Sequence, residues 1–430
     1  MKLFKSILLL ASLALVATLF AVGQSVTATA CLALSAAAFA PQAMQGFCHA
    51  NVLTPLIPSA IAALDVVSRE LVGFLPGVNR DPKADRVARG QTLTIPIAPA
   101  NAQGDIAASA TLAAEGDQTV GSTSLTISNF KKAGFNWTGE DIMAANSPNG
   151  IGQQRYLQDQ IEQALRSLVN GMESVVSAAA IASASRAYGT VGTTPFPTTV
   201  GDSAQMRKIL DDNGAPFGAR SLVIDTTSGA ALRTLSQLSK VNEAGSALTL
   251  RDGELLNLNG FSVKESAQIQ TPSVGTGANY LSDGATLAIG ETAVHIDTGT
   301  GTVLAGDIVT FAGDTNKYVV ATGCAGDGDQ DIVLAAPGLI KTLANNVAMT
   351  LVASGPRMVG FSQNAICLAT RLPAAPERDL AMDRQTITDA RSGISFELVA
   401  WPGQDMVVYQ VRVAYGMKVV KPEHVGILLG

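Results

Sequence analysis

The stretch QQRYLQDQIEQALRSLVNGMESVVSAAAIASASR, residues 153–186, decides how the rest of this chain is read. Its apolar residues fall at Leu157, Ile161, Leu165, Leu168, Met172, Val175 and Ala179. That is one continuous face at helical period, so the spacing predicts a helix over 152–188. At 1.5 Å per residue, a helix of about thirty residues runs about 45 Å. Such a length suits a spine that supports other elements. Gly171 weakens it only modestly, through backbone entropy.

Upstream, residues 76–150 are rich in Gly, Pro, Asn and Ala and hold three short alternating runs, QTLTIPIAP, STSLTISNF and AGFNWTGED. These predict the strands of an extended hairpin with a long loop between them. Just before them, VNRDPKADRVARG sets Arg80, Lys83, Arg86 and Arg89 against Asp81 and Asp85. This segment reads either as a solvated loop or as a contact with another subunit. Earlier still, in NVLTPLIPSAIAALDVVSREL, Ser59 can cap a helix whose apolar face is Ile61, Leu64, Val67 and Leu71.

Downstream comes α/β sequence. SAQMRKILDDNGAP predicts a short helix ended by Asn213-Gly214, and ARSLVIDT a buried strand. SGAALRTLSQLSKV predicts a helix capped by Ser228, and ELLNLNGFSVKES two strands turning at Asn259-Gly260. From about 271 to 353 the texture becomes Gly/Thr/Val-rich. Six short runs (ATLAIG, AVHIDTGTG, GDIVTFAGD, NKYVVATG, QDIVLAAP, VAMTLVAS) predict a small β-barrel inserted into the α/β sequence. NAICLATRLP, ISFELVAWPG and MVVYQVRVAYGMKVV then predict returning, paired strands.

Composition narrows the function classes. The chain has 430 residues, 47% of them apolar but only 5% aromatic, and a formal net charge of −6. That hydrophobicity does not suit disorder, and an acidic balance does not suit a surface that grips nucleic acid through phosphates. The cysteines are Cys31, Cys48, Cys324 and Cys367; without metal-ligand or framework spacing, the last two read as small buried thiols. The body holds two histidines, His295 and His424, and no Ser-His-Asp or Cys-His set can be assembled from it. GDGDQD places Asp327, Asp329 and Asp331 at alternate positions, but a calcium loop fails at Ile332 and Gly338, so a hairpin turn is expected. TGTGTVLAG carries no dinucleotide fingerprint, and Glu140-Asp141 has no partner that would make it an acid/base pair. No catalytic, cofactor or metal site is expected, and no later stretch is apolar enough to span a membrane.

The order of parts, together with several stretches, carries a resemblance. NVLTPLIPSAIAALDVVSREL, EGDQTVGSTSLTISNFKKAGFNWTGE, SRAYGTVGTTPF, RKILDDNGAP, GDIVTFAGDTNKYVV, ATRLPAAPE, ITDARSGISFE and YGMKVVKPEHVGILLG sample most of residues 50–430. They resemble the coat proteins of tailed phages with the Hong Kong 97-type capsid fold, and most closely the P-22-type coat protein family, whose members carry an inserted β-barrel. The resemblance implies an α+β chain with an N-arm at 50–75, an E-loop at 76–145 and a peripheral domain with the spine helix at 146–200. An axial and peripheral α/β section at 201–270, the inserted barrel at 271–357 and a return to both domains at 358–430 complete it. It implies a major capsid protein that assembles with itself as hexamers and pentamers, around scaffolding protein and with a portal. The shell would form in the bacterial host cytoplasm and enclose DNA without sequence-specific binding. In that setting Arg80, Lys83, Arg86 and Arg89 become candidates for contact between subunits.

The first 49 residues depart from that pattern. MKLFKSILLLASLALVATLFA has a charged start and an apolar run, and Ala28-Thr29-Ala30 before Cys31 resembles a cleavage site. The resemblance implies a start near Ala50, so residues 1–49 read as the product of a mis-assigned start, with Met44 or a neighbour as the true one. Retention or removal of a real extension, or export, are the alternatives. The rival functions are an encapsulin-like nanocompartment shell, an exported β-rich enzyme or adhesin, and a scaffold or tail protein.

Overall fold

Residues 73–97, 120–145, 153–239, 257–376, 380–389 and 393–430 are described by the computed structural model. The leader and the predicted helix at Ser59–Leu71 lie outside them. In chain order the elements are β1 (Asn79–Val87), β2 (Thr92–Ile97), β3 (Gly121–Thr126), β4 (Asn129–Thr138), α1 (Gly139–Ala145) and α2 (Gln153–Ala182). Then follow β5 (Arg186–Gly189), α3 (Gly201–Asp212), β6 (Arg220–Ile224), α4 (Thr226–Thr234), β7 (Asn257–Leu258) and β8 (Phe261–Glu265). Next are β9 (Leu281–Ser282), β10 (Ala293–Asp297), β11 (Ile308–Phe311), β12 (Lys317–Thr322), β13 (Gln330–Leu334) and β14 (Met349–Leu351). The last are β15 (Arg357–Ser362), β16 (Ile366–Pro373), β17 (Asp383–Thr388), β18 (Ser395–Pro402), β19 (Met406–Val419) and β20 (Val425–Leu429).

A six-stranded sheet is organised by β19, which is 14 residues long. One edge of β19 carries β4 from Met406 to Tyr415. The other is shared end to end by β18, against Val407–Arg412, and β16, against Ala414–Val419. β17 extends the sheet beyond β18, and β1 runs parallel to β16. Because side chains alternate along a strand, this sheet has two distinct faces. One is apolar: Trp137, Phe396, Leu398, Ala400, Tyr409, Val411 and Val413 join Leu157, Ile161 and Leu165 of α2 in a single core.

The long helix forms over Gln153–Ala182, as its periodicity predicts. Its inward face departs from the even stripe in the last turns, where Val176 and Ala180 are fully buried and Val175 is only partly so. The cause is a change of neighbour along the helix. Its later turns hold the wholly buried Glu173, take a hydrogen bond at Ser174 from Gln270, and end with Ala182 against Gly306. Glu173 accepts from the backbone N–H groups of Gly73 (3.3 Å), Phe74 (3.0 Å) and Leu75 (2.6 Å) and from Ser266 Oγ (3.0 Å).

A second sheet runs β7-β8-β6-β15-β20-β5. Every residue of β6, β15 and β20 is buried, which is why they read as unbroken rather than alternating apolar runs. Helices α3 and α4 cover one side through Met206, Leu210, Leu232, Phe261 and Leu428. Helix α3 ends at Asn213 and Gly214, as predicted. The Asn259-Gly260 turn also forms, with both residues at positive φ. The predicted cap of α4 is corrected: Asp225 is the N-cap, accepting from the Ser228 N–H at 2.9 Å, and Ser228 lies inside the first turn.

Residues 278–351 form a nearly closed ring of strands. The order is β14-β11-β12-β13-β10-β9, and a single bridge between Leu281 and Ala348 returns β9 towards β14. Its own core contains Tyr280, Val294, Ile296, Val309, Phe311, Tyr318, Val320 and Ile332. Tyr280 donates to the carbonyls of Gly301 (2.8 Å) and Gly326 (2.6 Å). A Cβ at Gly299 would come within 2.1 Å of its ring, so only glycine fits there. The predicted strand ATLAIG is corrected to one isolated bridge, Leu287 to Leu343. The ring is joined to the second sheet by β12 on β5, and Arg357 Nη1 donates to Gly306 O at 2.5 Å.

Candidate functional site

The chemistry-bearing residues singled out in the sequence do not converge. His295 is exposed on the ring, its Nδ1 2.7 Å from Asp331 Oδ1 and its Nε2 3.9 Å from Asp283. The hydrogen bond to Asp331 holds its imidazolium above the ordinary histidine range. His424 is buried in a short turn of helix, and burial pushes its pKa down. GDGDQD forms the turn between β12 and β13, where Asp327 accepts from the Gly301 N–H at 2.7 Å. Asp141 lies in the first turn of α1, accepting from Thr138 N (3.1 Å) and Oγ1 (2.7 Å), and its own N–H donates to Thr138 Oγ1 at 3.2 Å. Cys324 and Cys367 are free thiols, buried and half-buried. A cavity of about 180 Å³ in the ring is lined by Phe311, Asp314, Lys341 and Leu343, but Asp314 is committed to Tyr318 and Asn316. Among the described residues, no group of three His, Cys, Asp or Glu is placed to hold a metal ion, and no helix is long and apolar enough to cross a membrane.

The described residues also include two surface features, a detached strand pair and a charged sheet face. The β2–β3 pair forms a two-stranded ribbon joined to no other strand. Its cross-strand pairs Leu93–Leu125, Ile95–Thr123 and Ile97–Gly121 define an apolar side, while Thr92, Thr94 and Pro96 point the other way and are exposed. Near the base, that side packs on Val87, Ile127, Ala369 and Ala414. Farther out the cover thins: along β3 it falls from the buried Leu125 through the half-buried Thr123 to the exposed Gly121, the partner of Ile97. The ribbon's base lies directly on β19, where a Cβ at Gly416 would meet Thr126 O at 2.4 Å. Isolated two-stranded hairpins are marginal in water, and among the described residues this ribbon draws its support from its base.

The basic run ahead of the ribbon is not a loop. It is the edge strand β1, paired parallel with β16 and bulged between Pro82 and Arg86. Pro82 is tolerated because an edge strand leaves one row of N–H groups unused. Of the four candidate residues, Arg86 is committed inside the chain, with Nη2 2.7 Å from Glu397 Oε1 and Nη1 donating to Pro373 O at 2.8 Å. Arg89 lies over the Phe130 ring at 5.6 Å. Arg80 adds to the burial that lowers the Lys264 pKa. Lys83 is exposed and only 3.7 Å from Asp81, which is itself held by Arg371 at 2.6 Å.

A constellation the sequence reading missed lies on the sheet face opposite α2. Cross-strand neighbours there are Lys132, Arg412, Glu397 and Thr386 in one row, and Gly134, Gln410, Val399 and Arg384 in the next. Asn136, Val408 and Trp401 follow. Arg412 lies over the Trp401 ring at 5.0 Å and Arg384 at 6.0 Å. Glu397 is fully buried between Arg86 and Arg384, each at 2.7 Å. The signal was present as outward-parity charges, Lys132 in NFKKAG on β4, Glu397 on β18 and Arg412 on β19, but it becomes a cluster only once register is known.

No family model matches the chain, and no curated protein matches it. Solved structures similar to it include one from Mycobacterium phage Che8, at 14% identity and TM-score 0.43, covering 79% of this chain and 85% of that one. The capsid of the Cyanophage P-SCSP1u is 13% identical at TM-score 0.43, covering 81% and 86%. A virus-like particle from Pyrococcus furiosus is 10% identical at TM-score 0.40, covering 87% and 98%.

Proposed function

We propose that the chain is a shell-building subunit, the major capsid protein of a tailed phage or prophage. The observation that carries this reading is the β2–β3 ribbon, a two-stranded arm whose apolar side loses its cover towards the open end among the described residues. A subunit that closes a shell needs such elements, because they bury surface only when copies interlock. The reading is further supported by the long helix braced on a sheet and by the coat-protein-like stretches along the sequence. In it the chain has the Hong Kong 97-type arrangement: β2–β3 belongs to the E-loop, α2 is the spine helix, and the ring at 278–351 is the inserted barrel. Copies form hexamers and pentamers around scaffolding protein, take in DNA through a portal and enclose it without reading its sequence. The chain's work is structural rather than enzymatic, and its place is the virion capsid.

The test is electron microscopy and sedimentation of the chain expressed in bacteria, with and without a scaffolding partner. Closed shells, tubes or spirals of copies are expected. Particles no heavier than a few copies of the 44.2 kDa chain under both conditions overturn the reading.

A further inference from the structure

In the ring at 278–351, His295 stands on β10 between carboxylates brought to it from two sides. Its Nδ1 lies 2.7 Å from Oδ1 of Asp331, the residue directly opposite it on β13. Its Nε2 lies 3.9 Å from Oδ2 of Asp283, which follows β9 and whose N–H donates to the His295 carbonyl at 2.9 Å. Every charge that bears on the imidazole is a carboxylate: Asp331, Asp283 and Asp329 of the β12–β13 turn. The next outward residue on its own strand is Asp297. A neutral imidazole carries one N–H. Donated to Asp331, it leaves a lone pair turned towards Asp283. The imidazolium has two N–H groups and attracts both carboxylates.

These groups meet beside the seam of the ring. Strand β9 is two residues long and makes the closing contact. It is held to β10 by two residue pairs, Ile296–Ser282 and Asp297–Leu281. On its far side it has the Leu281–Ala348 bridge, and the Ser282 N–H donates to Val347 O at 2.9 Å. We propose that His295 is a proton-operated clasp that holds β9 to β10 and β13 and so keeps the ring closed. Protonated, it links Asp283 and Asp331 across β10. Deprotonated, it leaves Asp283, Asp329 and Asp331 on one face without the cation between them, and the β9 seam loosens. The hydrogen bond to Asp331 raises the imidazole pKa above its ordinary value. The stabilisation is therefore complete below about pH 6.5, the unfolded value, and is lost as pH rises through the higher folded one. His295 is 42% and Asp331 82% exposed, so the effect is that of a surface ion pair, local to the seam. The inference stands independently of the shell reading.

The experiment is hydrogen exchange of the full chain, read by mass spectrometry from about pH 5 to about pH 9, a span that brackets histidine titration. Rates are corrected for the intrinsic pH dependence of exchange. Protection in peptides covering Tyr280–Asp283 and Asn346–Met349 is expected to fall about two- to fivefold across that span, the size of one surface ion pair. Peptides covering β11 and β12 serve as the internal control and stay level. In His295→Gln and in Asp283→Asn chains the seam is expected to show no such fall. An NMR titration of the histidine-labelled chain follows the imidazole itself, and Asp331→Asn is expected to bring its pKa down towards the ordinary range. Seam protection that stays level with pH in the native chain overturns the proposal. So does a fall of the same size in the His295→Gln chain, or an imidazole pKa that Asp331→Asn leaves unmoved.

Discussion

Arg86 reaches out of the edge strand β1 to the wholly buried carboxylate of Glu397, 2.7 Å away, while Arg384 holds the other oxygen at the same distance. The pair fixes where β1 ends and the ribbon begins. Its two members are unequal: Arg86 keeps 38% of its side-chain surface exposed, Glu397 none. Arg86→Ala is therefore expected to cost about 1–2 kcal/mol, because Arg384 still neutralises Glu397. Glu397→Ala is expected to cost about 3–5 kcal/mol, the range for stranding a buried charge. Urea unfolding of the unassembled subunit measures both, and equal losses would refute the asymmetry.

Glu173 makes stability depend on pH in a stated direction. Burial raises its pKa, and the hydrogen bonds from Leu75, Phe74, Ser266 and Gly73 only partly oppose that. An acid whose folded pKa is raised contributes stability that is complete below its unfolded pKa, about 4.3. That stability is lost as pH rises through the higher folded value. The difference in unfolding free energy between the native chain and Glu173→Gln should thus shrink from about pH 4 upward. A difference that grows with pH would show that the hydrogen bonds outweigh burial.

Gly416 is the seat of the ribbon. Gly416→Ala places a methyl 2.4 Å from Thr126 O and 2.9 Å from Ile127 Cα. Backbone cannot yield there cheaply, so a loss of at least about 2 kcal/mol is expected, in the range of overpacked sites. Limited proteolysis should then cleave the β2–β3 segment sooner than in the native chain.

The open end of the ribbon should behave in the opposite way. Val120→Ser and Ile97→Ser alter half-exposed or exposed positions, so subunit stability should stay within about 0.5 kcal/mol. Particle yield in sedimentation should fall sharply. Loss of stability without loss of assembly would place these residues in the chain's own core instead.

The cap of α4 separates two readings of one helix start. Asp225→Ala removes the acceptor for Ser228 N–H and should cost about 1 kcal/mol.

Local signals were legible and distant ones were not. The α2 stripe, the Asn213-Gly214 stop and the Asn259-Gly260 turn each depend on residues within a few positions of one another, and all three form. Strand β1 was hidden because what makes VNRDPKADRVARG extended is its pairing with Cys367–Pro373, far along the chain. Charge and proline there imitate a solvated loop. Ser228 is a good cap by type, but Asp225, three residues earlier, takes the position. ATLAIG has strand composition yet gains only one bridge, because Gly290 at positive φ turns the chain away. For the contact surface, the basic run at Arg80–Arg89 drew attention because it is contiguous. The Lys132–Arg412 face escaped it because β4 must first align with β17, β18 and β19 from the far end of the chain.

The pairing of β19 with β4 and of β16 with β1 sets a timetable for synthesis. Strands β1 and β4 leave the ribosome early, but their partners begin only at Ile366 and Met406. At ribosomal elongation speeds that is a wait on the order of tens of seconds, with unpaired edges exposed to other nascent chains. The ring at 278–351 closes on contacts nearer in sequence and can fold meanwhile. A chain made in many copies at once is most vulnerable in that interval, and a chaperone that shelters residues 79–138 until Met406–Val419 emerges would raise the yield of native subunit more than any change to its final contacts.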